Sequence, residues 1–354
     1  MIKLISKESF FQLNASRQWP AYEDPRPDEL FSSWLTRIAH LHGLKVETFC
    51  KIYWKNLTFW NRDIDRFYYD KVSAVFLANS RITPDKLRNT FLSSYEGKLF
   101  ELATYKTNQN WIIPLGIYHR TRSGYGQMYC PRCLYNDEQI SKPYFRKSWR
   151  LSLSFACVDC GSWLSDRCPN CNSPVVFFRN EVGFKNILPD VNIARCYRCR
   201  EKLSNEQINM PADKSIITLQ TTLNRCLIAE SPPIDFLVYP FQYLDILHHL
   251  IRLINSKSTL LAQLRHSLCE LNKLEYWQPI GSYRDRFDTL PIGERMKLLL
   301  LAHYLLEDWP SRFINVVYPI KRLRSAWLLK DLTSKHYWFD YEVMFHFYIT
   351  NSNR

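Results

Sequence analysis

The sequence predicts a mainly α protein interrupted by small cysteine-held β/knuckle modules, with an N-terminal helix-turn-helix domain and a C-terminal helical domain on either side. Three observations carry that prediction. Apolar residues recur at three- and four-residue steps in both flanking regions, the period of helices that bury one face. Eight of the 11 cysteines fall between them as four Cys-x-x-Cys pairs: Cys130/Cys133, Cys157/Cys160, Cys168/Cys171 and Cys196/Cys199. The chain also has only 9 glycines and no strand-turn-strand repetition, which argues against an all-β fold. With 354 residues it is long enough for two or three domains. The changes of pattern put the boundaries at residues 1–125, 126–204 and 205–354.

The first helix starts after Pro27-Asp28-Glu29, with Asp28 as its expected N-cap. Leu30, Phe31, Trp34, Leu35, Ile38 and Leu41 form its apolar stripe. Gly43 supplies the left-handed turn that ends it. Val46, Phe49, Cys50 and Tyr53 mark a second helix, so residues 37–49 have the helix, glycine turn, helix form of a helix-turn-helix. Lys45, Thr48, Lys51 and Lys55 are its expected outward positions and candidate contacts to nucleic acid or a partner. That form also serves as a packing corner or a dimer contact. Asp63 and Asp65 are expected to cap or to pair with Arg62 and Arg66, because no third carboxylate completes a two-metal nuclease site. The linker before the first cysteine pair carries His119, Arg120 and Arg122, further candidates for phosphate.

The four cysteine pairs are ligand arithmetic. Tetrahedral zinc takes four donors, at roughly 2.3 Å for sulfur, and a two-residue spacer aims two sulfurs at one point. The gaps between successive pairs are 23, 7 and 24 residues. They predict tandem zinc modules holding two ions per chain. Taken as tandem modules, Cys130, Cys133, Cys157 and Cys160 would hold one ion, and Cys168, Cys171, Cys196 and Cys199 the other. Four pairs sort into two sites in three ways, and an interleaved RING-type cross-brace stays open, disfavoured by the seven-residue gap. The alternative is a disulfide framework, which belongs to oxidising compartments. Residues Met1 to Ser16 carry Lys3, Lys7 and Glu8 and lack the apolar stretch of a signal peptide. Four thiolates close the metal shell, and no His-x-Glu precedes the Pro-containing knuckles as a zinc deaminase requires. The expected role of the zinc is structural, and the expected protein is not an enzyme. Between the cysteine pairs, Tyr144, Phe145, Arg146, Trp149 and Arg150 interleave aromatic and basic residues. Arg146 and Arg150 are candidates for contact, and the aromatics are equally the small core of the module.

Beyond Ser204 the helical period returns. Phe236, Phe241, Tyr243, Leu244, Leu247, Leu250, Ile251 and Ile254 predict one helix with a proline-rich entry, and Leu298–Leu306 predicts another that stops before Trp309-Pro310. His248, His249 and His303 fit core or surface roles better than metal ligation. Arg322, Arg324, Lys330 and Lys335 make the tail basic, and Arg322 and Arg324 join the contact candidates. No apolar run reaches the roughly 20 residues of a bilayer span. The expected location is the cytoplasm, at the nucleoid, with no membrane contact.

The formal charge of +13 points to a polyanionic partner. Each four-thiolate zinc site carries −2, so two sites lower the balance to about +9. Basicity alone is therefore a weaker pointer to DNA than the raw count suggests.

Several motifs occur together in one order. They are Pro25-Arg-Pro-Asp-Glu-Leu-Phe-Ser-Ser-Trp-Leu-Thr-Arg-Ile-Ala39, Trp60-Asn-Arg-Asp-Ile-Asp65, Pro114-Leu-Gly-Ile-Tyr118, Tyr129-Cys-Pro-Arg-Cys-Leu134 and Asp166-Arg-Cys-Pro-Asn-Cys171, with Leu306-Glu-Asp-Trp-Pro310 and Tyr337-Trp-Phe339 beyond them. This series resembles the TniQ/TnsD family. The resemblance implies a non-catalytic target-selection protein of a bacterial cut-and-paste transposon. Such a protein chooses the insertion site through an RNA-guided Cascade complex or by binding DNA, often as a homodimer, and recruits the AAA+ regulator TnsC and the transposase. The alternative it leaves open is a stand-alone DNA-binding protein that reads a chromosomal attachment site. The resemblance carries the zinc-ligand role onto the cysteines named above, with one departure: Cys160 stands where the family commonly has His.

Overall fold

In the computed structural model, residues 18–55, 60, 62–104, 107–116, 126–140, 142–180, 192–207, 211–228, 232–279 and 286–348 are described. Their regular structure is almost entirely helical. The chain divides into two compact units, each assembled from separate segments: Met1–Ser94, Pro114–Leu151 and Ser162–Pro211 in one, and Tyr95–Ile113, Ser152–Gly161 and Ala212–Arg354 in the other.

The first unit is organised around α1 (Phe31–Leu41), followed by α2 (Val46–Tyr53), α3 (Asp70–Asn79), α4 (Pro84–Arg88) and α5 (Pro131–Ile140). Gly43, at φ 64°, makes the left-handed turn between α1 and α2. The predicted stripe of α1 packs into an aromatic core. Phe31 stacks on Phe91 with ring centroids 4.4 Å apart, and Trp34 lies against Phe76 at 4.6 Å. The polar face of α1 is buried as well, because Asp65 from a distant segment and the adjacent Glu29 satisfy it. The Ser32 amide and hydroxyl donate to the Asp65 carboxylate at 2.7 and 2.9 Å, and the Ser33 hydroxyl donates to Glu29 at 3.0 Å. Arg37 donates through Nε and Nη2 to Glu29, both at 2.8 Å. A helix buried all round is a core element, so α1 is the central helix of its unit.

Four sequence expectations change here. Asp28 does not cap α1. It sits at φ 56°, its carbonyl accepts from the Lys147 amide at 2.6 Å, and its carboxylate accepts from the Ser148 amide at 3.1 Å. Asp63 accepts the Asp65 amide at 3.2 Å, the local capping expected, but the ion-pair partner of both carboxylates is the distant Arg150, at 2.6 and 3.3 Å. Arg150 is consequently 0% exposed and has no face to offer a phosphate or a partner. Arg146 pairs with Asp137 at 2.9 Å, its guanidinium 4.3 Å from the Tyr144 ring centroid and 4.6 Å from that of Trp149. These aromatics are thus local core, as the second reading of that stretch had it.

Burial, with Asp63 beside it, pushes the Asp65 carboxyl up to about 7, against the pull of Arg150 and of the Ser32 bonds. The arginine is the counter-charge that opposes this rise.

The second unit contains α6 (Lys214–Ile228), α7 (Pro240–Ile254), α8 (Thr259–Leu271), α9 (Ile292–Leu306), α10 (Ser311–Val317), α11 (Ser325–Leu328) and α12 (Tyr337–Phe347). Here α7 is central, packing against α6, α8 and α9. Phe236 lies outside α7 and is exposed, which shortens the predicted helix at its N-terminal end. Asp288 accepts from the Trp111 amide at 3.0 Å and the Ser152 hydroxyl at 2.6 Å, tying the segments before and after it into the helical unit. Arg265, wholly buried, donates to the Ile254, Ser256 and Trp277 carbonyls at 2.7, 2.9 and 3.2 Å. Among the described residues, no helix is long and apolar enough to cross a membrane.

His249 on α7 is buried, with Nε2 2.6 Å from the Leu328 carbonyl oxygen. Burial pulls its imidazole down to about 4, against the Leu328 bond. Between pH 6.5 and 4 the unfolded chain therefore binds more protons than the folded one. The stability this histidine contributes is complete above 6.5 and disappears as pH falls through 4. Urea titrations should show the wild type losing about 3 kcal/mol more than His249→Gln across that window. Parallel pH profiles of the two proteins would refute this account of the buried imidazole.

Arg150→Met should destabilise the first unit by about 3–5 kcal/mol at pH 8, above the Asp65 value of about 7. The loss should shrink at pH 5, where Asp65 can hold a proton. Equilibrium unfolding at the two pH values tests both the size and the direction of the effect.

Candidate metal centres

The described residues contain two groups of four cysteines, Cys130/Cys133/Cys157/Cys160 and Cys168/Cys171/Cys196/Cys199, each with all sulfurs within 4.8 Å of one another. Four sulfurs at zinc's bond length sit about 3.8 Å apart on a tetrahedron. In the second group, Sγ of Cys168 is 3.5 Å from that of Cys199, and Sγ of Cys171 is 3.6 Å from that of Cys196. None of the eleven cysteines is joined in a disulfide. The donor sets fit zinc in number, softness and spacing, so each cluster can bind one zinc ion. These are the groupings expected from the sequence.

Three of the four knuckles share one backbone design. The residue four places after the first cysteine has a left-handed backbone: Gly161 at φ 62°, Asn172 at 55° and Arg200 at 67°. In the second cluster the Cys168 amide donates to the Ser173 carbonyl at 2.9 Å and the Cys196 amide donates to the Glu201 carbonyl at 2.8 Å. The Asn172 and Arg200 amides return bonds to the Cys168 and Cys196 carbonyls, both at 3.0 Å. These bonds close the chain into a tight hairpin that turns both sulfurs inward. Gly and Asn adopt this geometry readily, whereas Arg200 does so at a cost and is held by donating to the Asn180 carbonyl. At the equivalent place in the first cluster, Ala156–Cys157 (β1) pairs with Ser162–Trp163 (β2), the only sheet among the described residues.

The remaining knuckle is helical. Cys130 immediately precedes α5 and Cys133 lies in its first turn, where the Cys133 amide points at the Cys130 sulfur at 3.4 Å. A helix N-terminus favours negative charge, which suits a thiolate. The Ser162 hydroxyl lies 3.6 Å from the same sulfur. In the second cluster, burial pushes the Cys196 thiol up to about 12. Burial acts on Cys171 in the same direction, but bonds from the Ser173 hydroxyl and amide hold it down at about 6. A divalent cation would favour the thiolate form of all four ligands, which zinc binding requires.

The segments carrying the knuckles are tied to one another. Tyr129 exchanges backbone bonds with Ser165 at 2.8 and 2.9 Å and donates its hydroxyl to the Arg167 carbonyl at 2.8 Å. Glu138 on α5 accepts from Asn192 at 2.6 Å and from Ser204 at 2.8 Å. Between these ties runs an open cleft of 680 Å³, lined among others by Arg132, Trp163, Lys202 and Asn205.

The other residues singled out in the sequence do not gather at the metal centres. Thr48 and Lys51 lie on the exposed side of α2, Lys55 is exposed just after it, and Lys45 is half-buried before it. Arg322 is exposed and Arg324 half-buried between α10 and α11. His119, Arg120 and Arg122 lie outside the described residues. The shared left-handed position had one legible signal, Gly161 and Asn172 at matching places, which Arg200 obscured.

A family model for TniQ matches residues 21–159. Over those residues the chain is similar to the TniQ domain. The match takes in α1 to α5 and Cys130, Cys133 and Cys157, and it ends just before Cys160. The second cysteine cluster and α6 to α12 lie beyond it. No curated protein matches the chain. The matched stretch is similar to the domain of a family associated with transposition.

Cys133→Ser and Cys171→Ser should each reduce the zinc content from two ions per chain to one, measured by inductively coupled plasma mass spectrometry on protein purified without chelator. Each should also unfold the module it belongs to, because binding free energy in such modules is folding free energy. Two ions retained in either variant would break the assignment of ligands.

Proposed function

We propose that this chain is a non-catalytic adaptor that selects the target of a bacterial cut-and-paste transposon. It links the target site, through an RNA-guided Cascade complex with DNA contact as a contributor, to an AAA+ regulator of the TnsC type and so to the transposase. The TniQ domain over residues 21–159 carries this reading. The metal chemistry supports the non-catalytic part. A zinc held by four thiolates has no open position for water or substrate, so the ions shape the fold instead of activating a nucleophile.

The adaptor role needs surfaces more than a reactive centre. Thr48 and Lys51 on α2, with Lys55 after it, form one such exposed face, while α1 beneath them is locked into the core. A rigid platform of this kind presents contacts without rearranging, which keeps the entropy cost of association low.

A second reading, a stand-alone protein recognising a chromosomal attachment sequence, is favoured by that same exposed face and by a balance of about +9 after zinc binding. The two readings separate cleanly by experiment. As an adaptor, the tagged chain co-expressed with the Cascade subunits, guide RNA and AAA+ regulator from the same genome should retain the guide RNA and the regulator after nuclease treatment and washing. Retention of neither would overturn the adaptor. A stand-alone reader should instead protect one short genomic sequence from cleavage, with affinity falling steeply as salt rises.

A further inference from the structure

Between α10 and α11 the chain runs Val317-Tyr-Pro-Ile-Lys-Arg-Leu-Arg-Ser-Ala-Trp-Leu-Leu-Lys330, with four cations and no carboxylate. The fold sorts this run by burial. Val317, Ile320, Leu323 and Leu328 are buried and anchor the backbone, whereas Lys321, Arg322 and Lys330 are exposed and Arg324 is half-buried. The Ile320 amide donates to the Val317 carbonyl at 3.0 Å, Leu323 to Ile320 at 2.8 Å and Trp327 to Arg324 at 2.9 Å. These successive turns fix the framework from which the outward side chains project.

The four cations have no carboxylate partner among the described residues. The next acidic residue, Asp331, lies 3.7 Å from Arg252. Two aromatic rings share the surface with them. Tyr318 is 67% exposed and Trp327 is 37% exposed, with the Lys330 amine 5.3 Å from the Trp327 ring centroid. A solvated charge run has no need of exposed rings, and leaving them in water forgoes the stabilisation that burial would give. Cations interleaved with accessible rings are the composition of a surface that tracks a phosphate backbone and stacks bases.

We propose that this turn-and-helix surface, formed by Tyr318, Lys321, Arg322, Arg324, Trp327 and Lys330, binds a single-stranded nucleic acid. The cations meet its phosphates, and Trp327 stacks on an unpaired base. A duplex could satisfy the charges but offers the ring no base face, and an acidic peptide offers the ring no π-surface either. The inference rests on the nucleic-acid contact included in the adaptor reading and extends it with a strand form and an address. The surface lies outside the matched residues 21–159, so the domain match neither requires nor supplies it.

The test uses the full-length, zinc-loaded protein and fluorescence anisotropy with a labelled oligo-dT of about 20 nucleotides, a duplex of equal length, and polyglutamate as competitor. The wild type should bind the single strand more tightly than the duplex. In Lys321→Glu/Arg322→Glu/Lys330→Glu, the slope of log affinity against log salt should be shallower by about 2. Trp327→Ala should weaken single-strand binding about tenfold and leave duplex binding unchanged. Zinc content and thermal unfolding check each variant. If the charge reversals unfold the protein, Lys321→Gln/Arg322→Gln reads the same slope with a smaller change.

Unchanged affinity in folded variants would overturn the inference, as would displacement of oligo-dT by polyglutamate at equal charge concentration, which would assign the surface to an acidic protein. Either failure leaves the co-purification result standing, so the surface and the adaptor role fail separately.

Discussion

Zinc–thiolate coordination is the constraint on which the rest of this structure depends. Two sets of four sulfurs converge within 4.8 Å in a region with little regular secondary structure of its own. Thiols this close, with Cys171 drawn down to about 6 and Cys196 pushed up to about 12, do not ionise together unaided. The metal supplies the charge that reconciles them, and by filling its shell it also removes any vacancy for chemistry. The same bonds that would make the central modules fold would leave the ions no open coordination position.

Charge inside the first unit follows a similar logic. Asp65 serves α1 through the two Ser32 bonds, and Arg150 neutralises Asp65 and Asp63 together. Glu29 does the same for Ser33 and Arg37. Glu29 lies beside α1, but Asp65 and Arg150 come from distant parts of the chain, so the Ser32 side of the polar face is usable as core only once those segments have arrived. Leaving one partner behind would strand a buried charge, at a cost of several kcal/mol, so the network favours a single arrangement of α1 over its alternatives.

The legibility of the sequence divides along that line. Metal ligation is local chemistry: a sulfur, a two-residue spacer and a second sulfur announce a knuckle without reference to anything distant, and both four-cysteine groupings follow from spacing. The apolar stripes of α1 and α7 were visible for the same reason, since a helix's period is written in consecutive residues. Long-range pairing was not. Nothing near Arg150 in sequence discloses Asp63 or Asp65, 87 and 85 residues away, so a buried counter-ion read as a surface cation. Asp28 has the composition of a cap, yet bonds to Lys147 and Ser148 claim it first. The left-handed position common to three knuckles was hidden because Arg200 occupies it against its own preference.

The two clusters differ in how far they reach the solvent. In the first only Cys160 is partly accessible, whereas in the second Cys171 and Cys199 both are. A chelator or an oxidant has to engage sulfurs one at a time from the wet side, and the second cluster offers it two footholds. With zinc bound, the second cluster is therefore the one a chelator or an oxidant would reach first.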